Sequence, residues 1–287
     1  MEKIANVIID DEDSTLDTVI ALLGGLAEYD PNEPRDEGGR WTSGGGGGGG
    51  GGGRDYLTSP GKDVTSITKD FFVQGLPGGL NPSGGQVSAQ IAMASYIKAE
   101  IVHNIGVESS LKDQEVNDMI GYWASTSNDN SPNALQMQRV SSEEFDSPLS
   151  KYQQDRIEML KNMGYKSDYS DTTSRAFVKA VYNETQRRLE AAGIGPDDEV
   201  ILYRGIGAEV RHLARGKQYV TGNALESYSL DPAVARSFAE GKGAVLKISV
   251  PRRHIFSTAR TGTGCLAERE FVILGGYPHR LLEYSEQ

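Results

Sequence analysis

The chain has 287 residues, 37 % of them hydrophobic, with 40 acidic against 29 basic side chains and a net charge of −11. It can bury one sizeable core, and its length fits one to two domains. Its acidity argues against generic duplex nucleic-acid binding through phosphates, no apolar run reaches the roughly 20 residues that span a bilayer, and the single cysteine, Cys265, excludes an internal disulfide.

The charge is unevenly spread. Residues 200–287 hold 12 Lys/Arg against 8 Asp/Glu, a balance of +4, whereas residues 1–199 hold 17 against 32, a balance of −15. The basic C-terminal third suits a small phosphate-bearing ligand.

In chain order, residues 14–25 predict a short helix with Ser14 as N-cap and Leu16, Val19, Ile20 and Leu23 before Gly24 and Gly25. The preceding Asp10-Asp11-Glu12-Asp13 is the wrong flank for a secretory signal. Residues 29–43 are too polar and too rich in Pro and Gly to pack, so residues 1–43 are expected to be partly disordered or to act as a docking peptide. Within them, Pro34-Arg35-Asp36 followed by Gly39-Arg40-Trp41-Thr42 resembles a peptide of bacteriophage head and portal-associated proteins. That resemblance implies virion association through residues 1–43, and a location in a phage virion or the host cytoplasm. Residues 44–53 are an unbroken glycine run, a flexible tether, which leaves residues 54–287 as the folded domain. Turn residues dominate 55–82, with Ile67, Phe71, Phe72 and Val73 as the expected anchor.

Helices are predicted next, over residues 88–104, 113–124, 135–145, 149–163 and 172–192, the last carrying the stripe Phe177, Ala180, Val181, Thr185, Leu189 before Gly193. Such stripes are core packing, and residues 86–193 are assigned no chemistry. After Pro196 the texture changes to strands, at 200–203, 219–220, 224–230, 244–250, 253–257, 271–274 and 280–284. A helix with Asp231 as N-cap and Pro232 at its first position interrupts them. Helices first and strands after predict an α+β fold, with a helical layer over 86–193 and a mostly antiparallel β-sandwich core over 199–284.

Three polar signals punctuate the strands. Arg204 follows four apolar residues, so its permanent charge needs an anion at the rim of a buried strand, in a structural salt bridge or in a ligand. Ser227-Tyr228-Ser229 puts two hydroxyls on one strand face and the tyrosine on the other. Glu268-Arg269-Glu270 precedes the apolar run 271–274, and strand alternation would place both glutamates on one face about 7 Å apart. Taken singly, the second is an ordinary edge strand and the third a charged strand end.

In that order and spacing, Leu202-Tyr203-Arg204-Gly205, Ser227-Tyr228-Ser229 and Glu268-Arg269-Glu270 resemble the Arg-Ser-Glu class of mono-ADP-ribosyltransferases, over roughly residues 172–287. Tyr228 stands where the family's Ser-Thr-Ser motif has Thr. Phe238 falls where that family has an aromatic that stacks on nicotinamide. The resemblance implies an ADP-ribosyltransferase fold and the transfer of ADP-ribose from NAD+ to an arginine of a protein target, with NAD+ as substrate and no metal. It assigns catalysis to Arg204, Ser227, Glu268 and Glu270, and NAD+ binding to Arg204, Gly205, Ser227 and Phe238.

The chemistry fits those residue types. Cleavage of the nicotinamide–ribose bond passes through an oxocarbenium-like state that a carboxylate stabilises. Glu270 is the candidate, with Ser227 holding it; Arg204 would neutralise the phosphates, and the Gly205 backbone would hold the carboxamide. An acceptor guanidinium is protonated and a poor nucleophile, so Glu268 would orient it and take its proton. Glu at that position implies an arginine target, and residues 258–266, small and Gly-rich, correspond to the family's target-recognition loop. No His/Cys/Asp cluster has metal-ligand spacing, and neither Gly-x-Ser-x-Gly nor a phosphate-binding Gly-Lys-Ser/Thr motif occurs. The alternatives are an NAD+ glycohydrolase and an inert transferase-like virion or adaptor module.

Overall fold

The computed structural model describes residues 62–66, 87–125, 131–239, 242–266 and 268–287. The expected helix at 14–25, the docking peptide, the glycine run and the anchor around Phe71 lie outside these residues.

Among the described residues the order is helices α1 (Val87–Ser109), α2 (Asp113–Ser125), α3 (Pro132–Phe145), α4 (Lys151–Asn162) and α5 (Asp171–Ala191), then strands β1 (Glu199–Ile206), β2 (Tyr219–Val220) and β3 (Glu226–Ser229). Helix α6 (Pro232–Phe238) and strands β4 (Ala244–Pro251), β5 (Ile255–Thr258), β6 (Glu270–Ile273) and β7 (His279–Glu286) follow. The fold is α+β, helices first and an antiparallel sheet after. No helix among the described residues is long and apolar enough to cross a membrane.

Local chemistry explains the helix ends. Ser150 and Gln153 form a capping box on α4, and Ser170 caps α5 by accepting from the Thr173 amide. Asp231 accepts from the Ala233 amide with Pro232 at the first position of α6. Beyond α5 the chain turns at Gly193, whose φ of +85° is open to glycine at little cost.

The seven strands make one hydrogen-bonded sheet in the order β2-β7-β4-β1-β3-β6-β5. The expected sandwich of two sheets is therefore one continuous ladder with a narrow waist. β1 and β4 pair along all eight residues, whereas β1 and β3 share the single register pair Tyr203↔Ser229. On one face, Val200, Leu202 and Ile206 of β1, Leu246 and Ile248 of β4, and Phe271 and Ile273 of β6 join a single apolar cluster that spans the waist. On the other, Val272 and Leu274 meet Phe177, Val178 and Val181 of α5 and the buried face of α1 and α2. Phe177 is fully buried, worth about 2–3 kcal/mol over exposure.

Polar bonds set how the helical layer sits on β3. The amide of Gln138, buried in α3, donates to the Leu225 carbonyl at 2.9 Å and accepts from the Leu225 N–H at 2.6 Å, as a neighbouring strand would. Ser147 Oγ donates to the Ala224 carbonyl at 2.8 Å, and the Ala224 N–H donates to Gln153 at 3.1 Å. The residues leading into β3 are thus anchored before Ser227 is reached.

Candidate functional site

The cleft lies at the waist of the sheet. Strand β1 crosses it through Tyr203, Arg204 and Gly205, where a strand ending at 203 was expected; pairing with β4 carries β1 on to Ile206. Ser227, Tyr228 and Ser229 line it from β3, Val234, Ala235 and Phe238 from α6, and Glu268 and Glu270 from the far side, around a space of about 380 Å³ including its open mouth. All six residues singled out in the sequence, Arg204, Gly205, Ser227, Phe238, Glu268 and Glu270, share this one cleft.

Glu270 is its most constrained group. It is 6 % exposed, and three donors converge on its carboxyl: Ser227 Oγ–H to Oε1 at 2.5 Å, the Cys265 N–H to Oε2 at 2.6 Å, and the Trp123 indole N–H to Oε1 at 3.3 Å. Burial pushes its proton affinity above the ordinary carboxylate range, while Ser227, Cys265, Trp123 and the charge of Arg204 pull it back. Trp123 belongs to the helical layer to which no chemistry was assigned. A buried indole N–H needs an acceptor, but its acceptor is 147 residues away in the chain, so the sequence carried the need without the address.

The two glutamates reach the cleft differently from the expectation of a shared strand face. Strand β6 begins at Glu270, and Arg269 adopts a left-handed φ of +48°, so strand alternation does not apply between them. The turn is held by the Leu230 N–H donating to the Arg269 carbonyl at 3.3 Å and the Arg269 N–H donating to the Leu266 carbonyl at 3.1 Å. Arg269 also approaches Asp231 at 3.6 Å. Ser229 Oγ donates to the Glu268 carbonyl at 2.6 Å and accepts from the Asp231 N–H at 2.9 Å. The second serine therefore braces the backbone of Glu268, while the first holds Glu270.

Arg204 has a structural salt bridge, one of the two partners expected for it. Its anion within the protein is Glu226, at 3.2 Å, and its Nη1 donates to the Ser227 carbonyl at 2.5 Å. The Arg204 guanidinium also lies 5.5 Å from the Tyr228 ring centroid, so Tyr228 does face away from the serines, onto the arginine. Arg204 and Glu226 are close enough for an ion pair, but Glu226 Oε1 lacks hydrogen-bonding geometry, and Arg204 Nε has no hydrogen-bond partner either. Burial pushes the Glu226 carboxyl up, and Arg204 opposes it. Glu226 was not singled out from the sequence, although its alternation with Ser227 and the need of Arg204 for an anion both pointed to it.

Gly205 has a reason to be glycine that the sequence did not show. A Cβ there would lie 2.1 Å from the Ala235 carbonyl oxygen and 2.6 Å from the Ala239 nitrogen. The missing side chain lets α6 dock on β1, which in turn brings Phe238 to the cleft. The first part of the loop after β5 is closed. Residues 258–263 are buried, with Thr185 and Thr261 hydroxyls 2.7 Å apart and Ser257 donating to the Thr263 carbonyl at 2.6 Å. Among the described residues of this stretch, 264–266 and 268–269 reach solvent.

Among the described residues no group of three His, Cys, Asp or Glu side chains could hold a metal ion. The chain finds no match among known protein families, curated proteins or solved structures.

Proposed function

We propose that the protein is a mono-ADP-ribosyltransferase that moves ADP-ribose from NAD+ to an arginine side chain and releases nicotinamide. The observation that carries this reading is the convergence of three separated motifs on one cleft, with the Ser227 hydroxyl bonded to the Glu270 carboxyl at its centre. A helical layer against an antiparallel sheet, with the cleft at the junction of β1 and β3, also suits the ADP-ribosyltransferase type of fold.

In this reaction the nicotinamide–ribose bond breaks with its electron pair going to nicotinamide, and Glu270 faces the positive charge that develops on the ribose. Phe238 flanks the nicotinamide ring, and the Gly205 backbone meets its carboxamide. Arg204, paired with Glu226, brackets β1 to β3 rather than holding the phosphates directly. Glu268, at the solvent side of the cleft, orients the acceptor guanidinium and takes the proton lost as the new N–ribose bond forms.

Incubating the full chain with NAD+ labelled in the adenylate, together with agmatine or an arginine-rich protein, tests the reading. Labelled adduct and free nicotinamide are expected together. Nicotinamide release with no adduct on any arginine acceptor would instead make the protein an NAD+ glycohydrolase, and neither product would favour an inert binding module.

A further inference from the structure

We infer that Trp123 is a positioning residue for Glu270, through which the helical layer holds that carboxylate charged and in one orientation at the cleft. The inference rests on Glu270 being the group that faces the reacting ribose.

Trp123 is 3 % exposed and lies on α2, packed with Ile97, Met119 and Phe177 in the core beneath the sheet. Its ring is apolar filling, but its indole N–H is a donor with no capacity to accept, and it is aimed at Glu270 Oε1 at 3.3 Å. The Cys265 N–H on the other oxygen is likewise donor-only. Oε1 already accepts from both the Ser227 hydroxyl and the Trp123 indole, so a proton on it would have to displace one of them, and all three donors favour the charged form. The other charged groups around Glu270 are Arg204 on β1, which attracts, and Glu268, which lines the same cleft; Glu226 offsets the arginine. Arg204 is thus largely answered by Glu226, and the neutral donors carry much of the work of keeping Glu270 ionised.

The arrangement also gives Glu270 a support outside its own sheet. Ser227 and Cys265 sit on β3 and on the loop before β6, so both would move with the sheet. Trp123 ties the carboxyl to the helical layer, whose position on β3 is set independently by Gln138 and Ser147. Two bodies that meet at one carboxylate fix it better than one, as transition-state stabilisation by a fixed charge requires.

The chain has two tryptophans, Trp41 and Trp123, so Trp41→Phe leaves Trp123 as the sole indole reporter. In that protein, without ligand, Trp123 emission should follow a single protonation that disappears in Trp41→Phe/Glu270→Gln. An unchanged emission titration in the double variant overturns the inference, whatever the enzyme does. Where NAD+ turnover is present, Trp123→Phe, which keeps an aromatic filler, should move the acid limb of kcat upward by about one pH unit, the worth of one weak bond to a charged group, with KM changed less than twofold. An unmoved acid limb in a Trp123→Phe protein that still unfolds cooperatively overturns it as well. Absence of any turnover in the wild type would sink the enzymatic reading, while the emission titration would still decide whether Trp123 responds to the charge of Glu270.

Discussion

The guanidinium of Arg204 stands 3.2 Å from the carboxylate of Glu226, with the two side chains only 5 % and 4 % exposed. Glu226 is accommodated because residue 222 is glycine: a Cβ there would lie 1.8 Å from Glu226 Oε2. Glu226→Gln keeps the shape and leaves the arginine buried without its counter-charge. Breaking a buried pair on one side costs on the order of 3–5 kcal/mol, so urea unfolding should show a loss of that size. A loss under about 1 kcal/mol would mean that the pair behaves as an exposed bridge, and that Arg204 is freer to meet a ligand than its geometry suggests.

The two glutamates of the cleft should separate kinetically. Glu270→Gln removes the charge facing the ribose, and both transfer and NAD+ hydrolysis should fall by at least ~10²-fold. Glu268→Gln should abolish modification of agmatine while slow hydrolysis continues, because water needs no carboxylate to orient it. Equal loss of both activities in Glu268→Gln, followed by nicotinamide release and adduct formation in parallel, would show that its role is misassigned.

Gly205→Ala tests the docking of α6. The added methyl would meet main-chain atoms of Ala235 and Ala239 rather than flexible side chains, and overpacking of this kind costs about 1–3 kcal/mol. The helix should shift and take Phe238 with it, so a lowered unfolding temperature should accompany weaker NAD+ binding by titration calorimetry. Unchanged stability would mean that α6 is less tightly seated than these contacts imply.

Acid should destabilise the protein through two histidines remote from the cleft. His254 Nδ1 lies 3.3 Å from His279 Nε2, and the His254 ring stacks on Tyr277. Burial lowers His254 to about 4 and His279 to about 3. In the unfolded chain both take up a proton near the ordinary value of about 6.5. Between that value and the folded ones the unfolded state binds more protons, so stability is full above pH 6.5 and falls as pH falls, by up to about 1.4 kcal/mol per pH unit for each histidine. The raised carboxyls Glu226 and Glu270 act in the opposite sense, so the histidine contribution is best read directly. The ring signals of His254 and His279 should remain in their neutral positions at pH 5 by NMR, and titration of either near 6.5 in the folded protein would contradict the burial argument.

What the sequence determined by itself was local. Asp231 and Pro232 announce the start of α6, Gly193 follows the end of α5, and the apolar periods mark the helices and strands, because caps, turns and faces depend on residues a few positions apart. The resemblance of three short motifs, in order and spacing, to a known transferase family nominated Arg204, Ser227, Glu268 and Glu270. Only the tertiary structure decided what each of them touches. The partner of Arg204 is 22 positions away on β3, the indole that supports Glu270 comes from α2, and the left-handed Arg269 between the two glutamates is held by the Leu230 amide. Residues 258–263 after β5 are buried, with Thr261 hydrogen-bonded to Thr185 of α5, and a helix backbone lies against Gly205. Each of these depends on desolvation and contact between segments far apart in the chain, and a buried donor or charge states its need for a partner without saying which one the fold will supply.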